Sequence, residues 1–342
     1  MTQERLTTRL AELGAPSVLE QTIVGSRRTQ YRFRTMSKIR AKALERTRAD
    51  LAFAIGDLSL DLVVGTGPDA FVVEVESDAQ LVRLAHLEPA VEPLSFPLGV
   101  MIDGKTVYCD IPSSPHILIG GETGAGKTTA EHAMLCALLR RFGPEDLLLL
   151  LIDPKQVEFS FYDGLPHLLA PVVKTPQDAY HRLGQLIEMM ELRYTVLDQF
   201  GARNLVELNQ KLEAAGIQRY PYVLCVVDEL ADLMMSDRKR CESLIVRLAQ
   251  KARAVGIHLV LATQSPRVTV VSGLIKVNTP TRIAFSVSSM TDSRVLLDRN
   301  GAQALLGRGD GLYSPGGARP VRFQAAWVDS AEITTICDRW RR

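Results

Sequence analysis

From about residue 100 onward, unbroken apolar runs alternate with segments of helical periodicity: HILIG (116–120), LLLLLID (147–153), YVLCVVDE (222–229), IHLVLATQ (257–264) and RIAFSVS (282–288). A strand with one face in water alternates apolar and polar residues. These runs do not alternate, so both faces must be covered, and the intervening helices are what covers them. The pattern predicts an α/β domain built on a central, mostly parallel sheet. One helix can be read in detail over RKRCESLIVRLAQKARAVG (238–256). There Cys241, Leu244, Ile245, Leu248, Ala252 and Val255 recur at helical spacing as the stripe facing the core, which leaves Arg240, Arg247, Lys251 and Arg253 off it.

The first 95 residues follow a different pattern. SKIRAKALERTRADLAFAIG (37–56) reads as a charged helix, and LDLVVG and FVVEVES read as strands bounded by Gly, Pro and Asp. The proline-marked stretch EPAVEPLSFPLG (88–99) separates this segment from the α/β region, so the expected organisation is a small α+β domain over 1–95 followed by a larger domain over 96–342. A length of 342 residues suits two domains, each able to bury a core.

Composition narrows the class. With 46% hydrophobic and 23% charged residues the chain is that of a soluble globular protein. No apolar run is long enough to span a bilayer, DLLLLLID (146–153) included, and the amino terminus lacks a signal-peptide core, so no membrane segment is expected in this sequence. A net charge of +1 excludes a protein that coats nucleic acid by bulk charge but allows a locally basic channel. The basic run Arg27, Arg28, Arg32, Arg34, Lys38, Arg40, Lys42, Arg46 and Arg48 interleaves Tyr31 and Phe33. Glu45 and Asp50 dilute it, and a solvated helix face is favoured over a surface that touches DNA. The five cysteines are far apart with no C-x-x-C pair, which predicts buried free thiols in a reducing cytoplasm. His116, His167 and His258 lack ligand spacing and are read as structural.

The chemistry begins at GGETGAGKTTAEHAML (120–135). Gly121, Glu122, Thr123, Gly124, Ala125, Gly126, Lys127 and Thr128 fit G-x-x-x-x-G-K-[ST], between the strand HILIG and a helix expected over about 127–141. Backbone N–H groups of such a turn face phosphate oxygens, Lys127 neutralises the β and γ positions, the Thr128 hydroxyl takes a Mg²⁺ position, and Thr129 completes the nucleotide-binding stretch. The expected cofactors are ATP and Mg²⁺. YVLCVVDE ends in Asp228 and Glu229, one able to join the Mg²⁺ shell and the other to polarise an attacking water. A strand-end Asp-Glu is also common as a solvated turn, and the phosphate loop elsewhere in the chain is what favours the catalytic reading. Gln264, at the end of IHLVLATQ, is either a surface glutamine or a sensor of the γ-phosphate. An arginine leaving the 238–256 helix is either part of a solvated face or a finger that completes a neighbouring subunit's site.

Longer stretches resemble one family. DPKQVEFSFYDGLPHLL (153–169), VVDELADLMM (226–235), LIVRLAQKARAVGIHLVLATQSP (244–266) and GLIKVNTPTRIAFSVSSMTDSRVLLDRNGAQALLGRGDGLY (273–313) are similar to the motor of the FtsK/SpoIIIE DNA translocases. The likeness covers about 96–342, and 1–95 more faintly resembles the small domain that precedes that motor. It implies a RecA-like P-loop NTPase fold, a homo-hexameric ring threading double-stranded DNA, and ATP held between subunits. It also implies roles: Asp228 and Glu229 as the Walker B pair, Gln264 as sensor, Arg253 as the arginine acting in trans, and Lys276 and Arg294 as DNA-facing positions. Family members commonly carry Arg where this chain has Ser265 and Lys where it has Met290. Arg267 is the substitute for the first, and a weaker or differently placed grip on DNA is expected. Long members continue beyond the position of AEITTICDRWRR into a linker and a winged-helix module and carry a membrane segment, so sequence-directed orientation and septum anchoring are not carried over.

The function expected from the sequence is an ATPase that pumps double-stranded DNA independently of base sequence. The alternative is a secretion-type motor of the same superfamily acting on polypeptides.

Overall fold

Alternation in the first third of the chain and continuous apolar runs in the rest produce two different sheets. The structure, a computed structural model, describes residues 2–36, 44–57, 60–64, 69–77, 80–92 and 94–341. By contacts it divides into two units, Met1–Val82 with Val100–Thr106 and Arg83–Gly99 with Val107–Arg342.

In the first unit, helices α1 (Thr2–Glu12) and α2 (Arg48–Ile55) accompany strands β1 (Ser17–Val24), β2 (Arg28–Thr35), β3 (Asp61–Val64) and β4 (Ala70–Glu76). The strands form an antiparallel sheet in the order β1-β2-β4-β3. Its core gathers Leu6 and Leu10 of α1, Leu51 of α2 and a stacked Phe33–Phe71 pair with ring centroids 5.5 Å apart. This corrects the reading of the basic run. Arg28, Arg32 and Arg34 lie on β2, a strand, because its alternation turns Phe33 and Thr35 inward and Arg32 and Arg34 outward. Arg34 pairs with Glu20 at 2.6 Å and Arg28 with Glu74 at 3.5 Å, so acidic groups of neighbouring strands answer the arginines. Lys38, Arg40 and Lys42 lie outside the described residues, as does 37–43 of the expected charged helix.

The second unit carries, among the described residues, a nine-stranded sheet. Its strands are β5 (Ser95–Val100), β6 (Thr106–Asp110), β7 (His116–Gly120), β8 (Leu147–Ile152), β9 (Tyr222–Val227), β10 (Ile257–Thr263), β11 (Thr281–Ala284), β12 (Asp310–Ser314) and β13 (Val321–Ala325). The order is β6-β5-β13-β12-β11-β7-β10-β9-β8. The five apolar runs form its parallel part, β11-β7-β10-β9-β8, and every residue of β7 and β10 is buried, as strands covered on both faces must be. β12 and β13 extend it antiparallel, and the half-exposed pattern of β13 explains why a search for continuous apolar runs passes over it. RIAFSVS yields only a short strand: pairing stops at Ala284, and the Phe285 N–H donates to Gly120 O, 2.8 Å away, at the start of the phosphate loop.

The packing divides the chain ahead of the proline-marked stretch. Arg83 forms a parallel bridge to Trp327 with its guanidinium 5.0 Å from the ring, and the Leu84 N–H donates to Trp327 O at 2.9 Å. Residues 83–95 therefore belong with the second unit, which proline content alone does not reveal.

The helices of this unit are α3 (Lys127–Leu139), α4 (Pro176–Gln199), α5 (Leu205–Ala214), α6 (Leu230–Ser236), α7 (Arg238–Lys251), α8 (Gly273–Asn278), α9 (Met290–Leu297) and α10 (Ser330–Trp340). On α7 and the 3-10 turn Ala252–Val255 after it, the expected stripe is buried, with Leu244 partly so. All five cysteines are free and buried. Among the described residues no helix is long and apolar enough to cross a membrane.

Candidate active site

Parallel strands deliver their following loops to one edge of a sheet, and ligands of such sheets bind outside those carboxyl ends. Here β7 is followed by the phosphate loop, β8 by Asp153 and Lys155, β9 by Asp228 and Glu229, β10 by Gln264, and β11 by Ser286.

The loop is held from behind. The Gly309 N–H donates to Ala125 O at 2.7 Å, the Arg308 N–H to Gly124 O at 3.3 Å, and the Glu122 N–H to Ser286 O at 2.9 Å. The Ser286 hydroxyl reaches the Glu122 carboxylate at 3.1 Å. Gly126, with φ 111, caps α3 without a side-chain hydrogen bond, and a Cβ there would lie 2.4 Å from Gly309 N. Backbone passing this close tolerates only glycine. The first-turn N–H groups of α3 have no carbonyl partner within the helix and no side-chain cap, so they are available to an anion.

Lys127 is 3% exposed. Its Nζ donates to Glu131 Oε2 at 3.1 Å, to the backbone oxygen of Asp228 at 2.9 Å, and to Asp228 Oδ1. Burial opposes its charge, but Glu131 and Asp228 outweigh that and hold its pKa above the usual lysine value. Burial pushes the Glu131 carboxyl well above the usual carboxylate range, with Lys127 opposing and Asp228 adding to the shift. Asp228 Oδ2 is buried without a hydrogen-bond partner among the described residues. An orphaned carboxylate oxygen suits a divalent cation and its water shell, and Thr128, half-buried in the first turn of α3, offers a hydroxyl. Thr129 is half-buried next to it.

Glu229, 2% exposed, is anchored at both oxygens. Oε1 accepts from the Thr263 hydroxyl at 2.7 Å and the Ala231 N–H at 3.2 Å, which makes it the N-cap of α6. Oε2 accepts from the Gln264 N–H at 3.1 Å and Lys155 Nζ at 3.1 Å. Gln264 in turn accepts at Oε1 from the Thr123 hydroxyl at 3.0 Å, tying the end of β10 to the phosphate loop. Gln264 is thus bonded to the phosphate loop and is not a free surface glutamine.

The expected residues therefore fall into two groups. Gly121 through Thr129, Asp228, Glu229 and Gln264 converge. Arg253 does not: it is exposed in the turn that enters β10, while Gln264 leaves the other end of that strand, about 20 Å away at seven residues of extended chain. Lys276 and Arg294 come together elsewhere, Lys276 Nζ donating to Arg294 O at 3.3 Å, but the Lys276 ammonium is largely covered and paired with Asp298, which also takes Arg282. Arg294 is exposed with Nε on Asn300 Oδ1 at 2.9 Å, and Arg267 is exposed in the loop after Gln264.

Sequence reasoning passed over Glu131, Lys155, Thr263 and Asp153. Asp153, fully buried, accepts from the N–H groups of Gln156, Glu158 and Phe159 and so shapes the turn that presents Lys155. Charged residues directly after the run LLLLLI were the available signal. Only the neighbouring strand tells what they face.

Residues 80–268 match the FtsK/SpoIIIE family. The chain is 39% identical over 360 residues to the DNA translocase FtsK of Corynebacterium glutamicum, a match covering 98% of this chain and 39% of that protein. It is 41% identical over 327 residues to the protein of that name from Mycobacterium tuberculosis, covering 90% of this chain and 39% of the relative. The chain spans less than half the length of these relatives. Among solved structures, the pCW3 conjugation coupling protein TcpA, in a monomer form with ATPγS, aligns with a TM-score of 0.70 at 24% identity over 99% of both chains. The cytoplasmic domain of the Thermomonospora curvata type VII secretion ATPase EccC aligns with a TM-score of 0.66 at 25% identity, covering 75% of this chain and 33% of that one. Both share the fold. The family match begins ahead of the phosphate loop and runs past Gln264 at the end of β10, and the chain belongs to the FtsK/SpoIIIE family.

Proposed function

We propose that this chain is an ATP-driven double-stranded DNA translocase motor that works in the cytoplasm as a homo-hexameric ring, with ATP and Mg²⁺ bound between subunits. The observation that carries the reading is the meeting of Lys127, Asp228, Glu229 and Gln264 at one sheet edge, in a chain about 40% identical to proteins named DNA translocase FtsK. Loop and α3 N–H groups receive the phosphates, and Lys127 meets the charge of the β and γ groups. Thr128 and Asp228 would hold the Mg²⁺, which when bound supplies neutralising charge to the phosphate oxygens.

Glu229 positions the attacking water, and its rigid anchoring by Thr263, Ala231 and Gln264 fixes where that water stands. Of its four donors, the Lys155 ammonium is on a side chain 38% exposed, so it is the one free to swing away. The Thr123–Gln264 bond links the phosphate loop to the segment that leads to Arg267 and α8, a route from γ-phosphate to the exposed Arg267 and Arg294 and to Lys276 behind Asp298. Exposure of Arg253, remote from its own chain's phosphate loop, supports its acting on a neighbouring subunit.

Steady-state ATPase with and without long duplex DNA tests the proposal. Duplex-specific stimulation that fades as salt rises is expected, because contacts to phosphates release counterions. Turnover indifferent to any DNA refutes it and favours a motor for polypeptides, the reading that the likeness to the secretion ATPase EccC supports.

A further inference from the structure

Lys127 and Glu131 are four residues apart on α3 and so share a face. Glu131 is fully buried, its Oε2 on Lys127 Nζ and its Oε1 without a hydrogen-bond partner. A buried carboxylate is costly wherever an apolar side chain would pack, and the rest of this helix face is apolar: Ala130, Met134, Leu135 and Leu138 are all buried. Its Oε2 takes the lysine of the phosphate loop, and the Asp228 carboxylate stands against it.

An ammonium has three donors. Those of Lys127 are all engaged, by Glu131 Oε2, Asp228 O and Asp228 Oδ1. A phosphate can be bound only if at least one bond is released. Phosphate enters at the amino end of α3, whereas Glu131 lies about one turn, ~5.4 Å, further along the helix. Movement of Nζ toward the loop therefore lengthens the Glu131 contact. We infer that Glu131 is a positioning residue that competes with the nucleotide for Lys127, holding the ammonium against Asp228 until the β and γ phosphates arrive and then yielding it. The inference rests on the nucleotide reading above.

The test is binding of ATP, ADP and AMP to the wild type, Glu131→Gln and Glu131→Leu, with melting temperatures alongside. Loss of an acceptor for the Lys127 ammonium is worth about tenfold in affinity. Glu131→Leu, which removes the acceptor, should bind ATP and ADP about tenfold tighter with AMP unchanged and Glu131→Gln, which keeps an amide oxygen, by less, and the KM for ATP should fall without a rise in kcat. The gain should vanish in the Lys127→Met background. A merely structural role would weaken or shift all three nucleotides together and leave the gain indifferent to Lys127. Wild-type ATP binding with no tightening in either variant overturns the inference alone. A wild type that binds neither ATP nor ADP overturns the nucleotide reading and the inference with it.

Discussion

Two buried histidines at the amino ends of β7 and β10 should make this fold acid-labile. His116 and His258 are each 1% exposed, with ring centroids 6.2 Å apart. His116 Nδ1 accepts the Leu259 N–H at 3.1 Å, while His258 Nδ1 faces Pro115 O at 3.0 Å and must donate, so each neutral ring is suited to its place. Burial pushes His116 down to about 3, with His258 adding to the shift, and pushes His258 down to about 4, where Arg253 and Arg193 also act against the Pro115 carbonyl and Asp110. The unfolded chain protonates both near the ordinary value of about 6.5. Their contribution to stability is complete above that pH and is lost as pH falls toward the folded values. At pH 5 the unfolded state has gained roughly 1.5 units of proton affinity over the medium, about 2 kcal/mol per histidine at ~1.36 kcal/mol per unit. The figure does not depend on how far below 5 the folded values lie. About 4 kcal/mol for the pair is a large part of the roughly 5–15 kcal/mol that holds a domain together. Urea unfolding of the second unit's signal at pH 7.5 and pH 5 measures the loss, with His116→Asn/His258→Asn as control, asparagine offering an acceptor to Leu259 and a donor to Pro115. The double variant should lose about 4 kcal/mol less than the wild type over that interval. Losses equal within about 1 kcal/mol would refute the argument.

Three further substitutions probe the candidate site and the surface proposed to face DNA. Thr263→Val removes the 2.7 Å bond to Glu229 and the acceptor of the Ser265 N–H, so kcat for ATP should fall about tenfold to a hundredfold with KM little changed; steady-state kinetics giving a kcat within about twofold of wild type would show that Glu229 needs no such anchor. Gly126→Ala forces a Cβ to within 2.4 Å of the Gly309 backbone at φ 111, and ATP titration should show affinity lower by at least about tenfold. Asp298→Asn keeps a residue that tolerates its φ of 57 but removes the carboxylate from Lys276 and Arg282. The salt slope of duplex DNA binding should steepen by about 0.9 for each cation released, and an unchanged slope would mean that neither faces DNA.

Much of the site was legible because its information is local. The glycines, Lys127 and Thr128 lie within one turn of chain, and Asp228, Glu229 and Gln264 announce themselves by ending apolar runs that can only be buried strands. The stripe of α7 is likewise a matter of periodicity within one element. Other features were not legible, since spacing within an element is silent about its neighbours. Arg28 and Arg34 read as part of a helix face until β1 and β4 supplied the acids that pair them across a sheet. Lys276 reads as an open cation until Asp298 is folded against it.

The sequence by itself determined that a phosphate-binding loop sits between a buried strand and a helix, and that strands with two apolar faces must be layered between helices. Tertiary structure alone decided that β10 lies between β7 and β9. That order brings Thr263, Gln264 and Lys155 onto Glu229, and sets Glu131 and Asp228 together on Lys127. The reason is physical: a turn or a helical stripe is specified by residues a few positions apart, whereas a buried charge is placed by partners up to a hundred residues away, and only the packed sheet edge brings them within hydrogen-bond reach.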